Sequence, residues 1–320
     1  MTATQNPPRT AGTAGAPRPP SRRRRATALA GREKLVLGLM LGIPSLLHIA
    51  LVWVPALGSV ALSFSSWDGI GGFGDIRWVG ASNYVDIVTS YPRFWPAVRN
   101  NLLWLLFLLV VPTVAGLLLA VLLDRQLRFG RVYQSVLYLP MVLSLALVGF
   151  IWQLVYQPEQ GLLNNVLGTA ATDPVNWLGD PDINLYAVLV AAGWRHTGYI
   201  MLLYLAGLKA VDPALKEAAA LDGANAWQTF FRVTFPVLKP VNVVVLVVTV
   251  IEGLRAFDIV YVINKGRNGL ELLSVLVTDN IIGESSRIGW GSALAVVLLV
   301  ISLGFIVTYL FQVFREEDPA

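Results

Sequence analysis

Five residues stand out because their chemistry is at odds with their surroundings: Trp194 and Arg195 in one apolar stretch, and Glu252, Arg255 and Asp258 in another. An ionisable side chain at the centre of a membrane helix costs about 2.5–3.5 kcal/mol on insertion scales, so each needs a partner, water or a function. Glu252 and Arg255 are three residues apart, as are Arg255 and Asp258, which puts all three on one face of a continuous helix. Two readings follow. The charges neutralise one another against a bundle interior, or they form a polar wall along a path for hydroxyl-rich solutes. Trp53, Trp67, Trp95, Trp104, Trp152 and Trp290 fall near the ends of apolar stretches, where amphipathic rings settle at headgroup level. Trp194 lies mid-stretch beside Arg195 and remains a candidate for the solute path.

Catalytic patterns are missing. The chain has two histidines, no cysteine and no H-E-x-x-H spacing, so a metal site has no support, and His48 is expected to pack rather than to ligate. No G-x-S-x-G, Walker A or paired-carboxylate arrangement is present, so neither hydrolysis nor nucleotide binding is placed on this chain. The expectation is no catalytic residue, no metal and no cofactor of its own.

The elements that must position these residues follow from composition. Of 320 residues, 55% are hydrophobic and only 14% charged, and the mean hydropathy is +0.62. Soluble domains carry about 25% charge, so the missing charge points to a solvent in which charge is costly, namely lipid. Crossing about 30 Å of hydrocarbon takes roughly 20 helical residues. Six apolar stretches qualify, at about 35–64, 102–123, 133–156, 185–209, 241–263 and 290–314. None alternates with a period of two, which argues against a β-barrel. The fold class is an all-α integral membrane protein with six transmembrane helices. Pro44, Pro55, Pro112 and Pro140 fall inside these stretches as tolerated kinks. No internal repeat of 20–50 residues supports an inverted-repeat design.

Orientation follows from the basic residues. With the N-terminus inside, eight Lys and Arg precede the first span, three lie in 125–131, four in 209–239 and one at Arg315, sixteen in all. The outside then holds six: Arg77, Arg93, Arg99, Lys265, Arg267 and Arg287. That asymmetry puts both termini in the cytoplasm of a multi-pass cell-membrane protein. The same distribution excludes nucleic acid, because the excess charge flanks spans instead of gathering on one face with aromatics. Residues 1–32, which include Arg22 to Arg25 among Pro, Thr and Ala, read as an unfolded basic cytoplasmic tail. A signal peptide is disfavoured by the length of the first apolar stretch. Residues 317–320 are a short C-terminal tail.

The longest inner segment, 209–240, has structure of its own. Asp212 suits an N-cap and Pro213 the first helical position. Ala218 to Ala220 favour helix, and Gly223 suits the left-handed residue that ends one. Asn225 caps a second short helix through Arg232, which Pro236 ends. The result is a cytoplasmic helix-turn-helix. Its small alanines and the rings of Trp227, Phe230 and Phe231 either dock into a groove on another protein or rest in the headgroups.

Glu217-Ala218-Ala219, Gly223 after three residues, and Val233-Thr234-Phe235-Pro236 after nine more resemble the EAA loop, E-A-A-x3-G-x9-I-x-L-P, of permease subunits of binding-protein-dependent ABC importers. Val233 stands for Ile and Phe235 for Leu. Leu221-Asp222-Gly223-Ala224 is similar to the sugar-permease form. Further stretches resemble the maltose- and glycerol-phosphate-type sugar permeases: Trp78 to Tyr84 with Pro92 to Trp95, Leu139-Pro140, Ile151-Trp152, Gly161 to Asn164, and Phe257 to Val262. After the last, the family usually continues Thr-x-Gly-Gly-Pro, whereas this chain has Asn264-Lys265-Gly266-Arg267-Asn268-Gly269. The resemblance spans residues 33–316.

It implies that Glu217, Ala218, Ala219, Asp222, Gly223 and Pro236 belong to a coupling element seated on a cytoplasmic ATPase. It also implies two ATPase subunits that hold ATP and Mg, a second permease, an extracytoplasmic solute-binding protein, and a sugar, polyol or glycerol-phosphate solute. Trp194, Arg195, Glu252, Arg255 and Asp258 are the candidates for the solute path. The alternatives are a permease for an amino acid, polyamine or phosphate, a membrane-embedded enzyme, and a channel that acts alone.

Overall fold

The computed structural model describes residues 31–70, 72–125, 128–283 and 286–317. Nearly all of the two expected tails, 1–30 and 318–320, lies outside the described residues. The chain is helical, with an isolated bridge between Ser65 and Trp78 and no strand among the described residues. It divides into two compact units, Met1–Val54 and Pro55–Ala320.

In the first unit, residues 31–54 are helical throughout and every one is exposed, including His48, which was expected to pack. The helix α1, Gly31–Leu62, has a mean hydropathy of 2.3 over its most apolar window. So much bare apolar surface belongs in lipid or against a partner.

Proline shapes this helix and one in the second unit in the same way. Ile49–Trp53 widens into a π turn two residues before Pro55, and Phe230–Thr234 does so two residues before Pro236. A proline ring clashes with the carbonyl four residues earlier, here Leu51 and Arg232, and widening the turn relieves it. Pro236 therefore does not end its helix, as the sequence led one to expect. Helix continues through Phe235–Val237 to a break at Leu238.

The second unit is built on α3, Phe94–Asp124, and α7, Asn184–Ala210, packed along each other. Between them in sequence come α4, Gly130–Val142, α5, Leu145–Val155, and the short α6, Leu162–Leu167; α2, Ser82–Ser90, precedes α3. After α7 come α8, Pro213–Leu221, α9, Ala226–Thr229, α10, Lys239–Leu254, α11, Asp258–Asn264, α12, Leu273–Ile281, and α13, Ile288–Glu317. Pro112 removes a donor inside α3, and the orphaned carbonyl of Leu108 accepts the Thr113 hydroxyl instead, at 2.9 Å. α3 thus stays continuous over 31 residues.

Close approach of the helices rests on glycine. A Cβ on Gly116 would stand 2.9 Å from the Met201 amide of α7, and one on Gly198 would run into the Leu137 carbonyl of α4. Both obstacles are backbone, which has no rotamer to yield, and small residues at crossings are the usual means of packing membrane helices. Gly198→Ala is expected to destabilise by about 1–3 kcal/mol through overpacking. A lowered thermal midpoint of the detergent-purified chain checks this; an unchanged midpoint would mean that α4 and α7 do not meet there.

The core fills in around these crossings. Trp104, placed by the sequence reading in the interfacial belt, is 1% exposed and packs with Leu108, Val148, Val188, Ile259 and Leu270. The hydropathy window located its helix correctly but began the span too late: α3 begins at Phe94, so Trp104 lies well inside it.

α1, α3 and the Ile288–Thr308 part of α13 are each long and apolar enough to cross a bilayer alone. The expected third span is two helices, α4 and α5, bent by 101° at Leu143 and Ser144. Ser144 is extended and its hydroxyl accepts the Leu147 amide at 3.2 Å, so it caps a new helix there; Pro140 lies within α4 and is not the break. The expected fourth span is α7, about 40 Å long at 1.5 Å per residue, which turns by 71° into α8. The expected fifth span is α10 and α11 with an interruption at Arg255–Phe257.

Candidate functional site

Four of the five candidate path residues line one open cavity. Arg195 and His196 enter it from α7, Glu252 from the last turn of α10, Arg255 from the interruption and Asp258 from the start of α11, with Trp104 behind them. Its volume is about 190 Å³. Two shallower cavities adjoin it, one lined by Ser144, Arg195 and Tyr261, the other by Arg255, Ser274 and Thr278. Phe257 and Asp258 border all three, so the interruption is their common hub.

The interruption has its own local logic. Arg255 is the C-cap of α10, its amide donating to the Ile251 carbonyl at 3.0 Å. Phe257 takes φ −143° and ψ −60°, and α11 begins at Asp258, an acid in the first turn, where the helix dipole favours it. The freed Ala256 carbonyl accepts a short hydrogen bond from the Ser274 hydroxyl of α12. Non-helical backbone at membrane depth is tolerated only inside protein or beside water, and here it lies beside a cavity.

That geometry removes one of the two readings of the charges. Glu252, Arg255 and Asp258 do not share a helical face, and no ion pair joins them among the described residues. The i, i+3 relation holds only where the helix is continuous. Glu252 is half-buried, and Arg255 and Asp258 are exposed toward the cavities. The Arg195 guanidinium enters as well, with its Nε buried and unpartnered. His196 is buried and joins α7 to α10 through Nε2 and the Thr249 hydroxyl, 3.0 Å apart. Two cations and two anions around one space offer donors and acceptors with no net charge.

Trp194 is not part of this cavity. Its ring stands edge-on against Trp152, with centroids 5.9 Å apart, and is 41% exposed. The residues that sequence reasoning missed are Phe257 and Tyr261, whose rings stack at 5.0 Å with 24° between planes, and Ser144. The i, i+4 spacing of the two rings and the cap-forming type of Ser144 were the available signals.

The second candidate site is the knuckle formed by α8 and α9. The Asp212 carboxylate accepts the Ala214 amide at 2.9 Å, and Pro213 opens α8. Gly223 ends it with φ +80°, its amide donating to the Ala220 carbonyl at 3.1 Å. Asn225 and Gln228 then form a reciprocal capping box at 2.9 and 3.0 Å. Both helices therefore begin where the sequence placed them.

Of α8, only Ala219 is buried; Glu217, Ala218 and Asp222 are exposed, and Glu217 makes no ion pair among the described residues. Leu221 is 90% exposed and Trp227 72%, and Trp227 leads into a run of rings through Phe231, at 4.4 Å, and Phe230. Pro236 is exposed at the far end. A polar turn that displays a leucine and a tryptophan fits a protein groove.

The sequence profile described as "Binding-protein-dependent transport system inner membrane component" matches residues 35–316. Relatives include the xylose/arabinose import permease protein XacH of Haloferax volcanii, 34% identical over 279 residues, which cover 86% of this chain and 87% of that one. The osmoprotective compounds uptake permease protein GgtC of Synechocystis is 35% identical over 86% of this chain and 98% of its own. The trehalose/maltose transport system permease protein MalF of Thermococcus litoralis is 31% identical over 86% and 92%. Among solved structures, a bacterial ABC transporter involved in the import of the acidic polysaccharide alginate matches with a TM-score of 0.77 and 22% identity, over 89% of this chain and 96% of that one. A structure of the alginate transporter in complex with an alginate pentasaccharide-bound periplasmic protein gives 0.74 at 22%, over 87% and 93%. At that identity the likeness is one of fold.

Proposed function

The chain belongs to the binding-protein-dependent transport system inner membrane components, the non-catalytic permease subunits of ABC importers, and from that premise we propose that it forms half of a pathway for a neutral sugar or polyol. Six crossings are counted when α4 with α5, and α10 with α11, each serve as one broken span. Both termini and the α8–α9 knuckle then lie in the cytoplasm. The knuckle seats on one of two ATPase subunits that hold ATP and Mg, a second permease completes the pathway, and an extracytoplasmic binding protein delivers the solute.

The observation that carries this reading is the knuckle, which exposes Glu217, Leu221 and Trp227 on a chain whose sequence has no Walker A pattern. The balanced charge around the cavity supports an uncharged, hydroxyl-rich solute. Relatives named for xylose and arabinose and for trehalose and maltose support the same class.

Co-purification from native membranes with the partner subunits, followed by reconstitution in liposomes with the binding protein, tests the proposal. ATP hydrolysis stimulated by a sugar and accompanied by its uptake is expected. Stimulation by an amino acid, polyamine or phosphate instead, or solute flux through the chain alone, would overturn it. Because the chain has no cysteine, single cysteines report topology against a silent background. Gln228→Cys is expected to react with a membrane-impermeant maleimide only after the membrane is opened, and Arg267→Cys in intact cells. Labelling of both from one side would sink the assigned orientation.

A further inference from the structure

Three helices meet on one carboxylate. Asp124, the last residue of α3, holds the Lys209 ammonium at 3.0 Å through Oδ1 and the Lys216 ammonium at 3.1 Å through Oδ2. Lys209 also donates to the Asp124 carbonyl, at 3.3 Å. Lys209 is in the last turn of α7, and Lys216 is on α8, the residue before Glu217. An acid at the last position of a helix is disfavoured by the helix dipole, so Asp124 does α3 no service of its own. What it gains there is the two lysines.

α8 has little other hold on the crossing helices. Residues 211 and 212 connect it to α7 across the 71° turn, its buried side chain is Ala219, and it packs on the π turn at Phe230–Thr234. α3 and α7, in contrast, are locked together near this end by Ala120, Leu123, Tyr204, Leu205 and Leu208. A push on α8 would be absorbed at the two-residue joint unless something links α8 to that packed pair. The Lys216–Asp124 contact does so.

We propose that Asp124 is a positioning residue of the transport cycle: by clamping Lys209 and Lys216 it makes α8 move as one body with α3 and α7, so that displacement of the knuckle reaches the spans. The inference rests on the coupling role proposed above. The lysine side chains are 60% and 36% exposed, so the pairs add little to overall stability. Their effect is on the direction in which α8 can yield.

The test uses the complete importer, with its ATPases and binding protein, in liposomes. Asp124→Asn is expected to keep the ATPase bound and the thermal midpoint unchanged, while ATP hydrolysed per solute imported rises about two- to fivefold, the range open to exposed ion pairs. Asp124→Glu keeps both ammonium partners within reach and is expected to restore the native ratio. An unchanged ratio in Asp124→Asn overturns the inference and leaves the function intact. So does loss of the ATPase from the complex, which would make Asp124 a docking or folding residue. A native complex whose ATPase ignores every sugar-loaded binding protein overturns the functional reading, and the inference with it.

Discussion

A Gly223→Pro chain is expected to insert into the membrane normally and to lose transport by about a hundredfold or more. Gly223 sits at φ +80°, and a Cβ placed there would meet nothing within 4 Å, so crowding is not the obstacle. The obstacle is the backbone. Proline is held near φ −65°, has no amide to give the Ala220 carbonyl, and costs about 3 kcal/mol or more where neither condition is met. Since 1.4 kcal/mol is a factor of ten in an equilibrium, that cost leaves under 1% of knuckles in the docking conformation. Gly223→Ala costs only about 1–2 kcal/mol and is expected to be a partial version of the same defect. Glu217→Lys provides the independent arm. Its side chain is exposed and makes no ion pair among the described residues, so reversal of its charge is expected to act between molecules. Retention of the ATPase on the purified permease and uptake in liposomes are the measurements. Normal transport by Gly223→Pro would remove the knuckle from the mechanism.

The second large effect is expected at the cavity. Arg195→Met removes a guanidinium that borders two of the three adjoining cavities. Hydrogen bonds to charged groups are worth about 1.5–3 kcal/mol, so uptake kcat/KM for a neutral sugar should fall roughly ten- to a hundredfold, with assembly and basal ATP hydrolysis retained. The substitution also tips the balance around the cavity toward Glu252 and Asp258, and an acidic sugar should lose more than a neutral one. Glu252→Gln tips it the other way, and the acidic sugar should then lose less than the neutral one. Equal losses for both solutes in both variants would mean that the solute does not sense these charges.

How much of this was legible can be argued residue by residue. Asp212, Gly223 and Asn225 act through their own backbone conformations and first-neighbour hydrogen bonds, which is why the knuckle could be drawn from sequence alone. The charged residues at 195, 252, 255 and 258 were conspicuous because lipid penalises them, and four of the five path candidates do converge. The two breaks in the apolar stretches were hidden by that same apolarity. Ser144 and Asp258 are ordinary helix-start residues, but inside a long hydrophobic run the span-length criterion overrode them. Trp194 lies outside the cavity for a different reason: position along a helix says nothing of azimuth, and its ring turned toward Trp152 while its neighbour Arg195 turned toward the cavity. Pro236 failed because a π turn ahead of it removes the clash that normally makes proline a terminator.

That π turn has one more implication. The stretch Phe230–Thr234 carries a surplus residue relative to the helix that follows it. One inserted residue shifts the side chains beyond it by about 100° around the axis, at 3.6 residues per turn, so Phe235 and Val237 stand at a different azimuth from the one an unbroken α-helix would give them.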